Sequence, residues 1–185
     1  MNKRLILASG SLRRKELLTQ AGFQFETIVP NIEEIVDLTV SLERAVENLA
    51  QQKATWVHNK HHDAIVLGAD TIVVCDGEVL GKPNSKDEAR HMLLKLSNKT
   101  HRVITGVCII DETYFTFSET TEVTFIQLNQ EMIDSYISTD EPYDKAGGYA
   151  IQGLAKEFIK DFSGDYFNVV GLPLKKVAAY LQKRI

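Results

Sequence analysis

A strand that runs straight into a helix near the N-terminus limits what this chain can become. Leu5-Ile6-Leu7-Ala8 is a short, wholly apolar run of the kind that forms a strand covered on both faces. Ser9-Gly10-Ser11 leads from it into Leu12-Arg13-Arg14-Lys15-Glu16-Leu17-Leu18, which reads as a helix. A buried strand feeding a helix is the opening of an α/β fold. The first turn of that helix carries three adjacent cations, the wrong charge for an end where backbone N–H groups already supply about half a positive charge. Unless an anion docks there, Arg13, Arg14 and Lys15 oppose the dipole and repel one another, with only Glu16 to offset them. The segment reads as a socket for phosphate.

The rest of the pattern extends the α/β reading. The first helix covers 12–21 and is closed by Gly22, and a second strand covers 23–29 and ends at Pro30. Ser41 starts a helix of about sixteen residues with Leu42, Val46, Leu49 and Trp56 at helical spacing, and Lys53 falls on the same stripe. Ala64 to Cys75, dense in β-branched residues and interrupted by Gly68, Asp70 and Thr71, is a central strand that Asp76-Gly77 turns into Glu78-Val79-Leu80. Ser85-Lys86-Asp87-Glu88 is a capping box for a helix whose apolar face is Ala89, Met92, Leu93 and Leu96. Strands at 101–110 and 119–128, joined through 114–117, indicate an antiparallel part of the sheet, and a short helix follows at 130–138. Asp140 to Gly153 reads as a long loop, the kind that carries function. Residues 155–162 and 166–170 read as a hairpin around Ser163-Gly164-Asp165, with Pro173 as the first residue of a C-terminal helix.

Composition removes several classes. A chain of 185 residues, 44% hydrophobic and 25% charged, buries an ordinary core as one domain over 1–185. A net charge of -4 speaks against a protein that coats nucleic acid or an anionic membrane, so any anion site is local. Cys75 and Cys108 lie in apolar stretches outside any CxxC pair and read as reduced core thiols. Lys3-Arg4 precedes only four apolar residues, too few for a secretory segment, and no long apolar run follows, so a cytoplasmic location is expected. The phosphate-loop, dinucleotide and nucleophile-elbow motifs are all missing.

The residues that can carry chemistry are few. Asp70 puts a carboxylate within an apolar strand, where it has to be paired, metal-bound or protonated; a core salt bridge and a catalytic role both meet that need. Lys53 is the mirror case, a cation on an apolar stripe, and snorkelling of its ammonium to water is the simpler account. Lys82 sits in Gly81-Lys82-Pro83, where the proline stiffens an extended turn that suits either a positioned cation or an ordinary surface. Glu33 and Glu34, with Asp70, can make an oxygen-rich magnesium site, since magnesium takes one or two carboxylates and leaves the rest to water and phosphate. His58, His61 and His62 lie at a polar helix end without metal-ligand spacing and read as surface.

Together these segments resemble the Maf family of nucleotide pyrophosphatases along nearly the whole chain. The resemblance rests on Ala8 to Leu18, on Gly68-Ala69-Asp70-Thr71, on Gly81-Lys82-Pro83, on Glu141-Pro142-Tyr143-Asp144-Lys145-Ala146-Gly147-Gly148-Tyr149-Ala150-Ile151-Gln152-Gly153, and on Gly164-Asp165-Tyr166-Phe167-Asn168-Val169-Val170-Gly171-Leu172-Pro173. It implies an α/β fold with a mixed twisted sheet flanked by helices, in two lobes with a central cleft, similar to the inosine triphosphate pyrophosphatases. It also implies a homodimer, with no nucleic-acid or membrane partner, that cleaves a nucleoside triphosphate to the monophosphate and pyrophosphate. The implied cofactor is a divalent metal, Mg2+ first and Mn2+ or Co2+ as alternatives, on Asp70 and Glu34. Asp70 matches the position regarded as general base, and Glu34 matches the family's acidic position better than Glu33. Ser9, Arg13, Arg14, Lys53 and Lys82 match phosphate-contacting positions, Lys53 and Lys82 counting with the catalytic set, and Asp144 and Lys145 fall in a substrate-binding loop.

Arg13, Thr71 and Gln152 resemble the branch acting on dTTP and UTP, whereas the 7-methyl-GTP branch resembles Trp, Gln and Glu at those places. An amide both donates and accepts, which suits the mixed edge of uracil or thymine; an ionised Glu only accepts. The sequence departs from the pattern in having Leu12 where proline is usual, and Gly148 and Ala150 where Ala and Gly are common. The expected role is nucleotide house-cleaning with a link to septum formation and cell-division arrest. The alternatives are a non-catalytic nucleotide-binding regulator of septum formation, or a pyrophosphatase for 7-methyl-GTP or inosine nucleotides.

Overall fold

The structure is a computed structural model that describes every residue except 1, 2, 36 and 38. In chain order the main elements are β1 (Arg4–Ala8), α1 (Leu12–Gln20), β2 (Glu26–Thr27), α2 (Leu42–His58), β3 (Ala64–Cys75), β4 (Glu78–Leu80), α3 (Lys86–Leu96), β5 (Thr100–Ile110), β6 (Tyr114–Phe125), α4 (Gln130–Ile137), β7 (Ile159–Ser163), α5 (Tyr166–Val170) and α6 (Leu174–Leu181). Among the described residues the strands form one 7-stranded mixed sheet in the order β2-β1-β3-β5-β6-β7, with β4 paired to β3. β1 is parallel to β2 and β3, whereas β3 with β4 and β6 with β7 are antiparallel. The mixed α/β fold expected from the resemblance is the one observed.

The chain divides into two compact units, the first comprising residues 1–70, 105–119 and 171–185, the second 71–104 and 120–170. In the first, α2 lies on the sheet over a core that includes Ile6, Ala8, Ala50, Ala54, Val57, Val66, Cys108 and Ile110. Small residues make that contact close. A Cβ on Gly68 would lie 2.4 Å from the Ala50 carbonyl oxygen, and one on Gly106 would lie 2.4 Å from the Val46 carbonyl, so the helix backbone rests directly on β3 and β5. In the second unit, Leu93 and Leu96 of α3, Ile133 of α4, Phe125, Tyr149 and Phe158 share one core. His101, Phe125 and Tyr149 meet edge to face there, with centroids 4.8 to 5.4 Å apart.

Local signals account for most element ends. Ser41 and Ser85 cap α2 and α3, accepting from the N–H of Arg44 and Glu88. The Glu88 carboxylate reaches one residue further back than a capping box requires, to the Asn84 N–H at 2.6 Å. Gly22, at φ 80°, ends α1 with the two reverse bonds of a Schellman motif, Gly22 N–H to Thr19 and Phe23 N–H to Leu18. That motif also corrects the second strand. Phe23 is still bonded to the helix, so β2 covers only Glu26–Thr27 instead of 23–29.

Other expectations are corrected too. Residues 114–117 are the start of β6 and not a link, and β6 ends at Phe125, where Ile126 turns its N–H to the Phe158 carbonyl. The hairpin read around Ser163-Gly164-Asp165 does not form: Leu154–Phe158 is a 3-10 helix, β7 pairs with β6, and 166–170 is α5. Asp165 Oδ1 accepts the Phe167 N–H at 2.8 Å and starts the helix. Asn168 is fully buried and donates to the Val103 carbonyl and to Thr121 Oγ1, both at 3.0 Å. These polar anchors outweigh the β propensity of Tyr166, Phe167, Val169 and Val170. Pro173 sits one residue before α6, at its cap.

Candidate active site

Nearly all the chemistry expected of the first unit gathers at the end of β1 and the facing side of α2. Ser9 follows the last residue of β1 and is buried; its Oγ accepts from the Ser11 N–H and from Arg14 Nη1, both at 3.2 Å. Ser11 caps α1, and no acidic residue occupies the first turn of that helix. Arg14, only 8% exposed, turns inward and donates from Nε to the Gly171 carbonyl at 2.8 Å. Burial pulls its pKa below the ordinary guanidinium range; Asp70 opposes that fall, Arg13 adds to it and Glu34 opposes it. Arg13 and Lys15 stay half-buried and Leu12 is exposed.

The close seat of α2 brings Lys53 to Asp70. Gly68 and Asp70 lie on one face of β3, because side chains alternate along a strand. Ala50 and Ala54 pack over Gly68, so Lys53, one residue before Ala54, is aimed along the strand toward Asp70. Its Nζ lies 2.5 Å from Asp70 Oδ1 and 2.9 Å from Glu34 Oε1. The Lys53 and Asp70 side chains are 11% and 14% exposed, against 52% for Glu34. Lys53 therefore does not snorkel to water: its ammonium is shared by two carboxylates. Glu33 is exposed beside them in sequence.

The second unit holds the remaining predicted residues. Thr71 is half-buried at the start of its part of β3, and Lys82 is exposed in a turn whose Pro83 is buried. The long loop contains two short 3-10 helices, Glu141–Asp144 and Ala146–Gly148. Lys145 Nζ donates to the Glu141 carbonyl at 2.8 Å and pairs with the Asp144 carboxylate. Gly147, at φ 70°, packs on Val73 and donates its N–H to the Gly81 carbonyl at 2.9 Å, tying the loop to the Lys82 turn. Gln152 is exposed between buried Ile151 and half-buried Gly153.

Among the described residues, no group of three or more His, Cys, Asp or Glu forms a protein-only metal site. His62 is exposed, and His58, half-buried against it at 5.2 Å between centroids, has its pKa lowered by burial and then by His62. Two contributors carried no sequence signal of their own: the Gly171 carbonyl, which grips Arg14, and Glu141. Both fall inside motifs, but their roles rest on contacts that only the fold supplies. Cys75 and Cys108 are free and buried, as expected.

A family profile described as Maf-like protein matches residues 4–184. The chain belongs to the Maf family. Its relatives include a Bacillus cereus (strain G9842) protein named dTTP/UTP pyrophosphatase, 50% identical over 182 residues, which cover 98% of this chain and 95% of that one. A Bacillus anthracis (strain CDC 684 / NRRL 3495) protein of the same name is 51% identical over 183 residues, 98% of this chain and 95% of that one. Among solved structures, a HAM1 protein from Coxiella burnetii superposes with a TM-score of 0.59 at 14% identity, covering 98% of this chain and 99% of that chain. The Staphylococcus aureus Ham1 protein gives 0.55 at 15% identity, covering 99% and 100%. At those identities the likeness concerns the fold, and it spans both units. No helix among the described residues is long and apolar enough to cross a membrane.

Proposed function

We propose that this Maf protein hydrolyses dTTP and UTP to the nucleoside monophosphate and pyrophosphate. Half-identity over nearly full length to relatives bearing that name supports the reaction class. The observation that carries the site is the Lys53 ammonium between the Asp70 and Glu34 carboxylates. Water attacks the α-phosphorus, the bond from that phosphorus to the bridging oxygen breaks, and pyrophosphate leaves. Asp70 takes the water proton, helped by a neighbouring ammonium that fixes its orientation. Arg13, Arg14, Lys53 and Lys82 neutralise the triphosphate, Ser9 donates a hydrogen bond to it, and catalysis rests chiefly on positioning and electrostatics.

Two converging carboxylates are the donor set magnesium uses when substrate phosphates and water complete its shell, so Asp70 and Glu34 suit a divalent ion. When bound, such an ion supplies charge stabilisation on the phosphate oxygens. Arg13, Thr71 and Gln152 select the base, with the Gln152 amide facing a ring edge that both donates and accepts. Asp144 and Lys145 contribute to substrate binding. The homodimer and the cytoplasmic, septum-linked role implied by the resemblance belong to the same proposal.

The test incubates the protein with magnesium and UTP, dTTP, 7-methyl-GTP or ITP, and measures pyrophosphate and monophosphate. Release of equal amounts of both from UTP and dTTP, exceeding the others, is expected. Orthophosphate in place of pyrophosphate, or preference for a purine, overturns the reading. Tight binding of UTP without turnover makes the chain a nucleotide-sensing regulator instead.

A further inference from the structure

The loop that carries Gln152 is fastened by a carboxylate that no part of the mechanism uses. Glu141 lies at its start, yet its side chain serves its far end. Glu141 Oε2 accepts the Leu154 N–H at 2.9 Å and Oε1 accepts the Ala155 N–H at 3.3 Å. The Tyr136 hydroxyl, from a side chain 4% exposed on α4, donates to Oε1 at 3.0 Å. Gly153 rests on the same carboxylate so closely that a Cβ there would fall 2.3 to 2.4 Å from its atoms. The residue before Gln152 is held as well, since Ile151 is only 6% exposed.

An exposed amide on a backbone held at both neighbouring residues is a pre-organised reader. Its side chain is open to a ligand while the backbone on either side is held by packing, so little ordering cost is left for the binding step. We infer that Glu141 is a positioning residue for base selection: its carboxylate fixes the backbone that presents Gln152. The inference rests on the pyrimidine reading above and adds to it a residue that never touches the nucleotide. Glycine at 153 is required for the same reason, because any side chain displaces the carboxylate from the N–H groups it caps.

A merely structural glutamate and a positioning one give different kinetics. Loss of folded enzyme lowers kcat for every substrate by the same factor, whereas a misplaced Gln152 raises KM for the matched base alone. The experiment measures kcat and KM for UTP and for GTP in wild type, Glu141→Gln, Tyr136→Phe, Gln152→Ala and the Glu141→Gln/Gln152→Ala double variant, with thermal melts alongside. Glu141→Gln keeps the size of the side chain but only one oxygen acceptor, and is expected to lower the UTP-over-GTP preference about tenfold, mostly through KM. Tyr136→Phe should shift it the same way by less, and it carries the comparison if Glu141→Gln fails to fold. In the Gln152→Ala background the second change should leave the preference unaltered, because the two residues act as a unit. An unchanged preference in both Glu141→Gln and Tyr136→Phe, or an equal shift from Glu141→Gln with and without Gln152, overturns the inference. Failure of wild type to release pyrophosphate from UTP refutes the activity instead, and the same cycle on whichever triphosphate the wild type prefers then judges Glu141 separately.

Discussion

Replacing Asp70 with asparagine separates chemistry from folding at this site. The exchange keeps the shape and one acceptor oxygen for Lys53, and removes the charge and the ability to take a proton. Deleting one partner of a fully buried ion pair costs about 3–5 kcal/mol. Here both side chains retain some exposure, 14% for Asp70 and 11% for Lys53, and Glu34 stays on the ammonium at 2.9 Å. The cost is therefore nearer about 1–2 kcal/mol, which in a chain of 185 residues lowers Tm by about 2–8 °C. Starting from even ~5 kcal/mol of stability, more than about 99% of the variant remains folded. Loss of a proton acceptor lowers turnover by about 10²–10⁴-fold, far beyond what that unfolded fraction explains. Pyrophosphate release from saturating UTP, read beside a thermal melt, separates the two effects. A variant that releases pyrophosphate at a wild-type rate refutes the role of Asp70. A variant whose melt lies below the assay temperature refutes the stability argument.

Three further changes probe other steps. Gln152→Glu, which turns a donor and acceptor into an acceptor alone, should reduce kcat/KM for UTP and dTTP by about 10-fold or more while Tm stays within a few degrees; an unchanged substrate profile contradicts the amide's role. Gly68→Ala forces a methyl group to within 2.4 Å of the Ala50 carbonyl, and should cost about 1–3 kcal/mol in urea unfolding and also slow turnover as Lys53 leaves Asp70; wild-type stability would remove the close seat of α2 from the argument. His101 is 2% exposed, and burial drives its pKa down from 6.5 to about 4. The unfolded chain thus takes up a proton between those values that the folded one refuses, so stability is full above pH 6.5 and falls with acidification, by about 2 kcal/mol at pH 5. Chemical unfolding at pH 7 and pH 5 should show that His101→Phe loses less on acidification than wild type, and equal losses would assign the pH dependence elsewhere.

Local chemistry was legible along the chain wherever one stretch contains both partners. The caps at Ser41 and Ser85, the Asp76-Gly77 turn and the Gly22 stop each involve residues within a few positions of one another. Where an element depends on distant partners, the sequence misled. Residues 166–170 carry strand formers, yet Asn168 reaches Val103 and Thr121, and those bonds hold a helix. The same limit shaped the site. Asp70 and Lys53 stood out as two separate anomalies, a buried carboxylate and a cation on an apolar stripe, with snorkelling as the simpler account of the second. Each is the answer to the other, and what links them is Gly68, read only as an interruption of the strand.

The cations at the start of α1 divide into a buried one and partly exposed ones. Arg14 is buried and tied to Gly171, 157 residues away, so its guanidinium is held in one place. Arg13 and Lys15 remain partly exposed at the same helix end. Ser9 is restricted by the hydrogen bonds it already makes. A hydroxyl has one donor and two acceptor positions, and both acceptor positions of Ser9 are engaged, by the Ser11 N–H and by Arg14 Nη1. Its proton is left to donate, which a phosphate oxygen accepts and a reacting nucleophile does not need. With its lone pairs engaged, Ser9 is poorly suited to attack phosphorus, which fits the proposed hydrolysis, in which it holds the tail of the triphosphate and water attacks.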